Sequence, residues 1–236
     1  MILIYKIIIK IVLLVIVIVL FSNDIKLPPN SKLTFFEPSL FPILKSIHIY
    51  RPSIIEEVQF VLNDPKNWEY WPEKNLYDGI PNSDWKIFPY YAFGIWVNDN
   101  CSKTPILTKF IKSIPNLKLA TLSKLSPGMK LVPHRGWGNH SNHVLRCHYG
   151  LFIPGNNSCY VKVRNEVQYH ENDKWLVFDD SKTHMAENTS SEDRVVLIID
   201  ISRPKNVPKG TSLVGDTKEL IDIVNYFTNK RINSSF

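Results

Sequence analysis

The chain has 236 residues, 44% of them hydrophobic, which is enough for one domain with a sizeable core and short extensions. Its net charge of +6 is modest, and its Lys and Arg residues are spread out rather than clustered, which argues against nucleic-acid binding. The three cysteines allow one disulfide at most and show no C-x-x-C spacing, so neither a disulfide framework nor a cysteine-rich metal site is expected.

The N-terminus is an almost unbroken apolar segment. Residues 1–22, in which Lys6 and Lys10 are the only charged side chains, are long enough to cross a bilayer if the lysines snorkel to one interface. We predict an uncleaved signal anchor, because no small-residue cleavage motif follows; a cleaved signal peptide and a buried helix are the alternatives. The positive-inside rule then predicts a single-pass type II membrane protein whose catalytic domain is lumenal or extracellular.

After the anchor the sequence is irregular before it becomes domain-like. Residues 23–50, rich in Pro, Ser and Lys, are interpreted as a stalk and lead-in to a domain at 51–236. A helix is predicted from about Pro52 to Asp64, because Ile and Val recur at helical spacing between these residues. The aromatic-rich stretch 66–84 is predicted to be an ordered loop whose rings pack, with the lining of a substrate pocket as the alternative.

Beyond this loop, strand and helix patterns alternate. Residues 90–97 have the composition of a strand, and Thr104 with the proline that follows it predicts a helix N-cap. The alternation at 117–125 predicts a further strand. Residues 216–219 resemble a capping box, which predicts that the last helix begins there.

Short β-rich runs separated by Gly, Pro, Asn and Asp turns fill residues 131–204, a pattern typical of sandwiches and barrels. In the predicted strand 143–153 side chains alternate between faces, so Arg146 and His148 share one face. In a barrel such a face looks into the cavity. Two such groups need an anionic partner there, because a buried unpaired charge is costly.

Three more residues complete a candidate site. Arg194 opens the apolar run RVVLIIDI, where a guanidinium can hold a carboxylate through two parallel hydrogen bonds; pairing with Glu192 or Asp193 at the rim is the alternative. His134 and His184 lie at the edges of separate β-rich runs, and neutral imidazole is a common ligand of Fe(II)-type metals; for each histidine taken alone, an ordinary surface or core residue is the alternative. Together these residues predict a metal and co-substrate site.

The blocks PHRG, LRCHYGLFIP, LVFDDSKTH and RVVLIIDISRP resemble the signature blocks of the aspartyl/asparaginyl β-hydroxylases. The resemblance covers about residues 85–204, and it includes WKIF from Trp85 and SKLSPG from Ser123. It implies a mainly β fold, the cupin-like double-stranded β-helix or jelly-roll, with flanking α-helices added to the predicted transmembrane helix. It also implies an Fe(II)- and 2-oxoglutarate-dependent dioxygenase that consumes O2.

The resemblance assigns a role to each residue of the candidate site. His134 and His184 would bind the iron, and Arg194 would hold the distal carboxylate of 2-oxoglutarate. Ser123, Arg146 and His148 would contact the co-substrate. Trp85 would line the pocket that holds it.

One position departs from the wider oxygenase class, whose metal triad has an Asp two residues after the first histidine. Gly136 stands there, as in family members that bind iron through two histidines alone. Asp179 and Asp180 are close enough in sequence to His184 to suggest substitutes. We interpret them instead as strand-end or supporting groups around the histidines.

The resemblance predicts hydroxylation of the β-carbon of an Asp or Asn side chain in a peptide or protein. A lipid acyl chain is the alternative substrate, because bacterial relatives of the family hydroxylate lipid A and the predicted anchor would hold the site near a bilayer. A non-catalytic jelly-roll binding protein is the alternative from another functional class.

Overall fold

A computed structural model of the chain describes residues 33–77 and 84–233. The predicted signal anchor at 1–22 and the predicted stalk up to residue 32 lie outside the described residues. Among the helices of the described part, none is long and apolar enough to span a bilayer.

By its internal contacts the chain forms two units. The larger unit, Lys32–Arg203 with Lys209–Phe236, contains every described helix and strand. In the smaller unit the described residues Pro204–Pro208 contain a turn, in which the Val207 N–H donates to the Pro204 carbonyl over 3.0 Å.

The larger unit is mainly β. The described residues contain eleven strands: β1 Phe35–Phe36, β2 Glu69–Tyr70, β3 Trp85–Ala92, β4 Ile95–Trp96, β5 Leu117–Leu125, β6 Val144–Phe152, β7 Cys159–Val163, β8 Glu166–Tyr169, β9 Trp175–Phe178, β10 His184–Asn188 and β11 Arg194–Ser202. Five α-helices flank them: α1 Arg51–Leu62, α2 Asn98–Lys103, α3 Pro105–Lys112, α4 Gly138–Ser141 and α5 Lys218–Asn233. Four short 3-10 helices complete the described elements: Pro38–Leu40, Pro42–Tyr50, Pro65–Asn67 and Lys74–Leu76.

The strands form two antiparallel sheets. The larger has the order β1-β9-β6-β11-β5-β3-β2, with β4 paired to β3, and the smaller has the order β10-β7-β8. From β6 onward the chain passes back and forth between the sheets, which is the winding of a double-stranded β-helix. Val161 and Ala186 of the smaller sheet join Leu125 and Phe178 of the larger in one core cluster. The prediction of a mainly β fold with flanking helices is confirmed.

The central strand of the larger sheet is β11, which pairs with β5 on one side and β6 on the other. Its Val- and Ile-rich sequence is buried from Arg194 to Ile201, as expected of a strand covered on both faces. The register of β11 shows which residues share one face of the sheet. Ile198 lies opposite Thr121 on β5 and opposite His148 on β6, and side chains directly opposite each other point to the same face.

The lead-in also contributes to the fold. Within the predicted stalk and lead-in, β1 pairs with β9 at the edge of the larger sheet. Leu44 and Ile47 of the following 3-10 helix are fully buried. These residues therefore pack against the domain.

Two details correct the predictions from sequence. The predicted strand at 90–97 is a hairpin, because β3 ends at Ala92 and Phe93 and Gly94 turn the chain with φ of 51° and 84°. The Thr104 side chain does not cap α3. Instead the Glu57 carboxylate of α1 accepts from the N–H groups of Ile106 and Leu107, at 2.8 and 2.9 Å.

Candidate active site

The seven residues singled out from the sequence line one cavity between the two sheets. They come from five strands and from the loop before α4: Trp85, Ser123, His134, Arg146, His148, His184 and Arg194. Residues far apart in the chain therefore meet at one place, as the predicted site requires.

His134 and His184 face each other across a two-residue antiparallel bridge, with N–H to carbonyl distances of 2.9 and 2.8 Å. Their ring centroids lie 4.3 Å apart. Each Nδ1 contacts a backbone carbonyl, Val132 at 2.7 Å and Lys182 at 2.9 Å. Because a carbonyl oxygen only accepts, each Nδ1 must carry the ring hydrogen, which leaves the Nε2 lone pair for a metal ion.

Burial keeps both rings neutral. Desolvation lowers the pKa of His184 to about 4. Desolvation, followed by repulsion from His184, lowers the pKa of His134 to about 3. Neutral imidazole is the form that binds metals, so the pair is in its ligating state at neutral pH.

Asp180 lies beside the histidine pair. Its Oδ1 is 3.3 Å from the Nε2 of His184 and 2.6 Å from Nη1 of Arg146. A Cβ placed on Gly136 would lie 2.0 Å from Oδ2 of Asp180, so only glycine fits at the position where the wider oxygenase class has Asp. Within residues 33–77 and 84–233, no group of three His, Cys, Asp or Glu side chains has the geometry of a metal site.

The Arg194 guanidinium is buried without an anion. The residue is 2% exposed, and its Nε and Nη1 have no hydrogen-bond partner among the described residues. Asp193 pairs instead with Lys124, at 3.1 Å, so rim pairing of Arg194 with Asp193 is wrong. Burial lowers the pKa of Arg194 to about 10, which leaves it charged at neutral pH and in need of a counter-ion.

Ser123 links Arg194 to the wall of the cavity. Its Oγ accepts from Trp85 Nε1 at 3.1 Å and, more weakly, from Arg194 Nη2 at 3.4 Å. With both contacts made by donors, the hydroxyl hydrogen of Ser123 is available for an acceptor bound in the cavity.

Arg146, predicted to contact the co-substrate, lies in a charge network that the sequence analysis did not assemble. Its Nε and Nη2 donate to the two carboxylate oxygens of Asp200, both at 2.8 Å, and its Nη1 faces Asp180. His140 Nε2 lies 2.7 Å from the same Asp200. Strand alternation in the sequence places Asp200 on the same face as Arg194, so a carboxylate on this face could be predicted. That Arg146 is the group it binds could not be predicted from the sequence.

His148 has a neighbour that was not predicted. Its Nδ1 lies 3.2 Å from Nε2 of His170, and the two rings are nearly parallel, at 10°. Burial, with the charge of Arg194, lowers the pKa of both imidazoles well below the usual value. If His170 donates, His148 Nε2 carries a hydrogen; that atom is buried without a partner among the described residues.

A family model described as Aspartyl/Asparaginyl beta-hydroxylase matches residues 51–204. The chain belongs to this family. The resemblance noted from the sequence blocks is thereby confirmed, and the seven residues singled out from the sequence all fall within the range that the family model matches.

Three relatives have names that refer either to a lipid acyl hydroxylase or to aspartate or aspartyl/asparaginyl beta-hydroxylases. An ornithine lipid ester-linked acyl 2-hydroxylase of Rhizobium tropici is 36% identical over 73% of this chain and 62% of its own length. The aspartate beta-hydroxylase domain-containing protein 2 of Mus musculus is 32% identical over 59% of this chain and 40% of its own. The aspartyl/asparaginyl beta-hydroxylase of Homo sapiens is 27% identical over 71% of this chain and 22% of its own length. The chain spans less than two thirds of the length of each.

Proposed function

We propose that this protein is an Fe(II)- and 2-oxoglutarate-dependent dioxygenase that hydroxylates an unactivated C–H bond. The observation that carries the proposal is the buried guanidinium of Arg194, whose Nε and Nη1 have no partner among the described residues, in the same cavity as two neutral imidazoles. Each imidazole donates its Nδ1–H to a backbone carbonyl, so its Nε2 lone pair can bind a metal ion. A metal and a small dianion together supply what these groups lack.

The residues present fit the metal. Both imidazoles are neutral and each is oriented by a carbonyl that receives its Nδ1–H, as is usual for metal-bound histidine. His134 and His184 would hold the iron, and Asp180 would stand beside them as a hydrogen-bond acceptor. When bound, the iron supplies the oxidising chemistry in which O2 and 2-oxoglutarate yield succinate, CO2 and the hydroxylated product.

The residues present also fit the co-substrate. Nε and Nη1 of Arg194 are free to donate to one carboxylate of 2-oxoglutarate, and the Ser123 hydroxyl is available as a further donor. His148 Nε2, when it carries the ring hydrogen, adds another. Because all three groups are buried, bound 2-oxoglutarate would be shielded from water, which strengthens each of these contacts.

The proposal is tested on the full chain in two steps. Calorimetry with 2-oxoglutarate, using Mn(II) in place of Fe(II), should show saturable binding that is lost in the His134→Ala/His184→Ala double variant. Succinate release with Fe(II), ascorbate and O2 should then be abolished in the same variant. His143→Ala is the matched control, because His143 is an exposed histidine that does not line the cavity. Full succinate release by the double variant would refute the site.

The same two assays separate the enzyme from the non-catalytic alternative. A binding protein that kept the fold would bind 2-oxoglutarate with Mn(II) and release no succinate with any substrate. An enzyme releases succinate slowly alone and faster with its substrate. Two substrate classes are candidates: an Asp or Asn side chain of a peptide, as predicted from the family, and an acyl chain, which the name of the 36% identical relative favours.

We further propose that residues 1–22 anchor the protein in a membrane, with the domain on the lumenal or extracellular side. The support is the apolar composition of this segment and the position of its two lysines. The full chain should remain in the membrane pellet after alkaline extraction and release when residues 1–22 are deleted. Release of the full chain would refute the anchor.

A further inference from the structure

A second cavity lies next to the candidate active site, and its accessible surface is entirely apolar. Strand residues form its floor, and two indole rings and a residue of α5 contribute to its walls. Its principal lining residues are Ile87, Pro89, Leu119, Trp71, Trp137 and Leu220. The only hydroxyl of a Ser or Thr in its lining, that of Thr121, already donates to the Leu122 carbonyl at 2.8 Å.

Strand register places the two cavities side by side on one sheet face. On β5, Ser123 lines the active-site cavity and Thr121, two residues away on the same face, lines the second cavity. On β3, Trp85 and Ile87 have the same relation. Two strand residues span roughly 7 Å, so the two cavities are close neighbours on this face.

The wall that the cavities share is built from stacked indoles. The ring of Trp71 lies 4.4 Å from that of Trp85 on the active-site side and 5.9 Å from that of Trp137. Nε1 of Trp71 and Nε1 of Trp137 both donate to the buried carboxylate of Glu73, at 3.3 and 3.0 Å. Thr217 donates to the same carboxylate at 3.1 Å.

The hydrogen bonds to Glu73 keep the polar atoms of both indoles away from the cavity. An indole has one polar atom, and Glu73 binds that atom in both rings, so the rings present carbon to the cavity. A bound peptide would bring N–H and C=O groups that find no partner on such a surface, and burying them unpaired is costly. A hydrocarbon chain has no such groups and gains from leaving water.

We propose that the second cavity binds the alkyl chain of an acyl substrate and delivers it to the active-site cavity. This inference rests on the proposed hydroxylase function and names the substrate class for that site. An acyl chain is chosen over an Asp or Asn peptide because the accessible surface of the described lining is carbon.

The test uses the full chain and dibrominated stearate, whose bromine atoms quench tryptophan fluorescence on contact. Because Trp71 and Trp137 line the cavity, quenching should saturate, and shorter brominated acids should bind more weakly since they bury fewer CH2 groups. Ala92→Phe, which places a ring in the cavity, should weaken binding by roughly tenfold or more. Val167→Phe, on the exposed strand β8, is the matched control and should bind as the wild type does.

Binding of 2-oxoglutarate with Mn(II), measured in parallel, separates the two proposals. If 2-oxoglutarate binds and stearate quenching does not saturate, or survives unchanged in a folded Ala92→Phe variant, the acyl subsite is refuted and the hydroxylase proposal stands. If stearate binds as expected and 2-oxoglutarate does not, the hydroxylase proposal fails. An Asn-containing peptide that accelerates succinate release where acyl lipids do not would also overturn the inference.

Discussion

The two neighbouring cavities lie on one sheet face and differ in whether the polar atoms around them have hydrogen-bond partners. In the active-site cavity Arg194 and His148 have buried nitrogens without partners among the described residues. In the second cavity the polar atoms of Trp71 and Trp137 are bonded away from the space they enclose. Under the proposals made above, the unpaired groups would be completed by a charged ligand, and the cavity whose polar atoms are paired would be filled by hydrocarbon.

The largest expected effect tests the unpaired cation. Arg194→Met should lower the affinity for 2-oxoglutarate by about a hundredfold or more, because a two-point charge-assisted contact is lost. The same change should leave the melting temperature unchanged or raise it, because an unpaired buried charge is removed. Calorimetry and thermal unfolding measure the two effects. A variant that binds 2-oxoglutarate normally would contradict the assignment.

Acid should destabilise the metal-free protein through three buried histidines in and beside the active-site cavity. The pKa values of His148, His170 and His184 are lowered by burial, so the unfolded chain binds more protons below the ordinary pKa of about 6.5. Their contribution to stability is complete above that pH and is lost as the pH falls toward the folded-state value, about 4 for His184. Between pH 7 and 5.5 each should cost about 1 kcal/mol.

Urea unfolding at several pH values measures this loss. The His170→Gln variant serves as the comparison, because it removes one of the three titrating rings and should reduce the slope of stability against pH. A slope that is flat across this range in the wild type would show that these histidines are not buried as neutral groups.

Gly136 tests how closely Asp180 packs against the metal-binding pair. Gly136→Ala should destabilise the fold by about 1–3 kcal/mol, because the added Cβ would lie 2.0 Å from Asp180 Oδ2 and 2.7 Å from Ser141 Cβ. It should also weaken Mn(II) binding by displacing Asp180. Gly155→Ala is the matched control, since nothing lies within 4 Å of its added Cβ. Equal stability of the two variants, by thermal unfolding, would contradict this packing.

His170 is expected to act through His148. His170→Phe removes the donor to His148 Nδ1 and should raise the KM for 2-oxoglutarate by about fivefold with little change in kcat, the size of one neutral hydrogen bond. His170→Gln, whose amide can still donate, should restore part of this loss. Equal KM values for both variants would indicate a packing role alone.

The smallest effect comes from one pair of matched hydroxyls. Ser123→Ala should weaken 2-oxoglutarate binding severalfold, because its hydroxyl is available to the bound co-substrate. Thr121→Val, two residues away in the apolar cavity, should change that binding little, because its hydroxyl is bonded to the strand itself. Calorimetry on both variants compares the two cavities directly. An equal loss of 2-oxoglutarate affinity in both variants would contradict the assignment of the co-substrate to the active-site cavity alone.

Much of the fold could be predicted because it depends on local pattern. The strand predicted at 117–125 is β5, and the face predicted for Arg146 and His148 is the inner face of β6. Alternation and turn residues are properties of neighbours in the sequence, so they can be read there. The candidate roles of His134, His184 and Arg194 were implied by the resemblance of the sequence blocks to the family, because residue type and position at strand edges left other interpretations open.

The tertiary structure alone decided which distant residue bonds to or packs against each buried polar group. Glu57 caps a helix far along the chain, Glu73 holds Trp71 and Trp137, and Asp180 occupies the space beside Gly136. Such partners are chosen when separate elements pack and every buried polar atom needs a hydrogen bond. The sequence by itself determined the strands, their inner face and the residue types on it, because these depend on side chains a few residues apart. The apolar cavity and its clamped indoles exist only once the strands, the aromatic loop and α5 have come together.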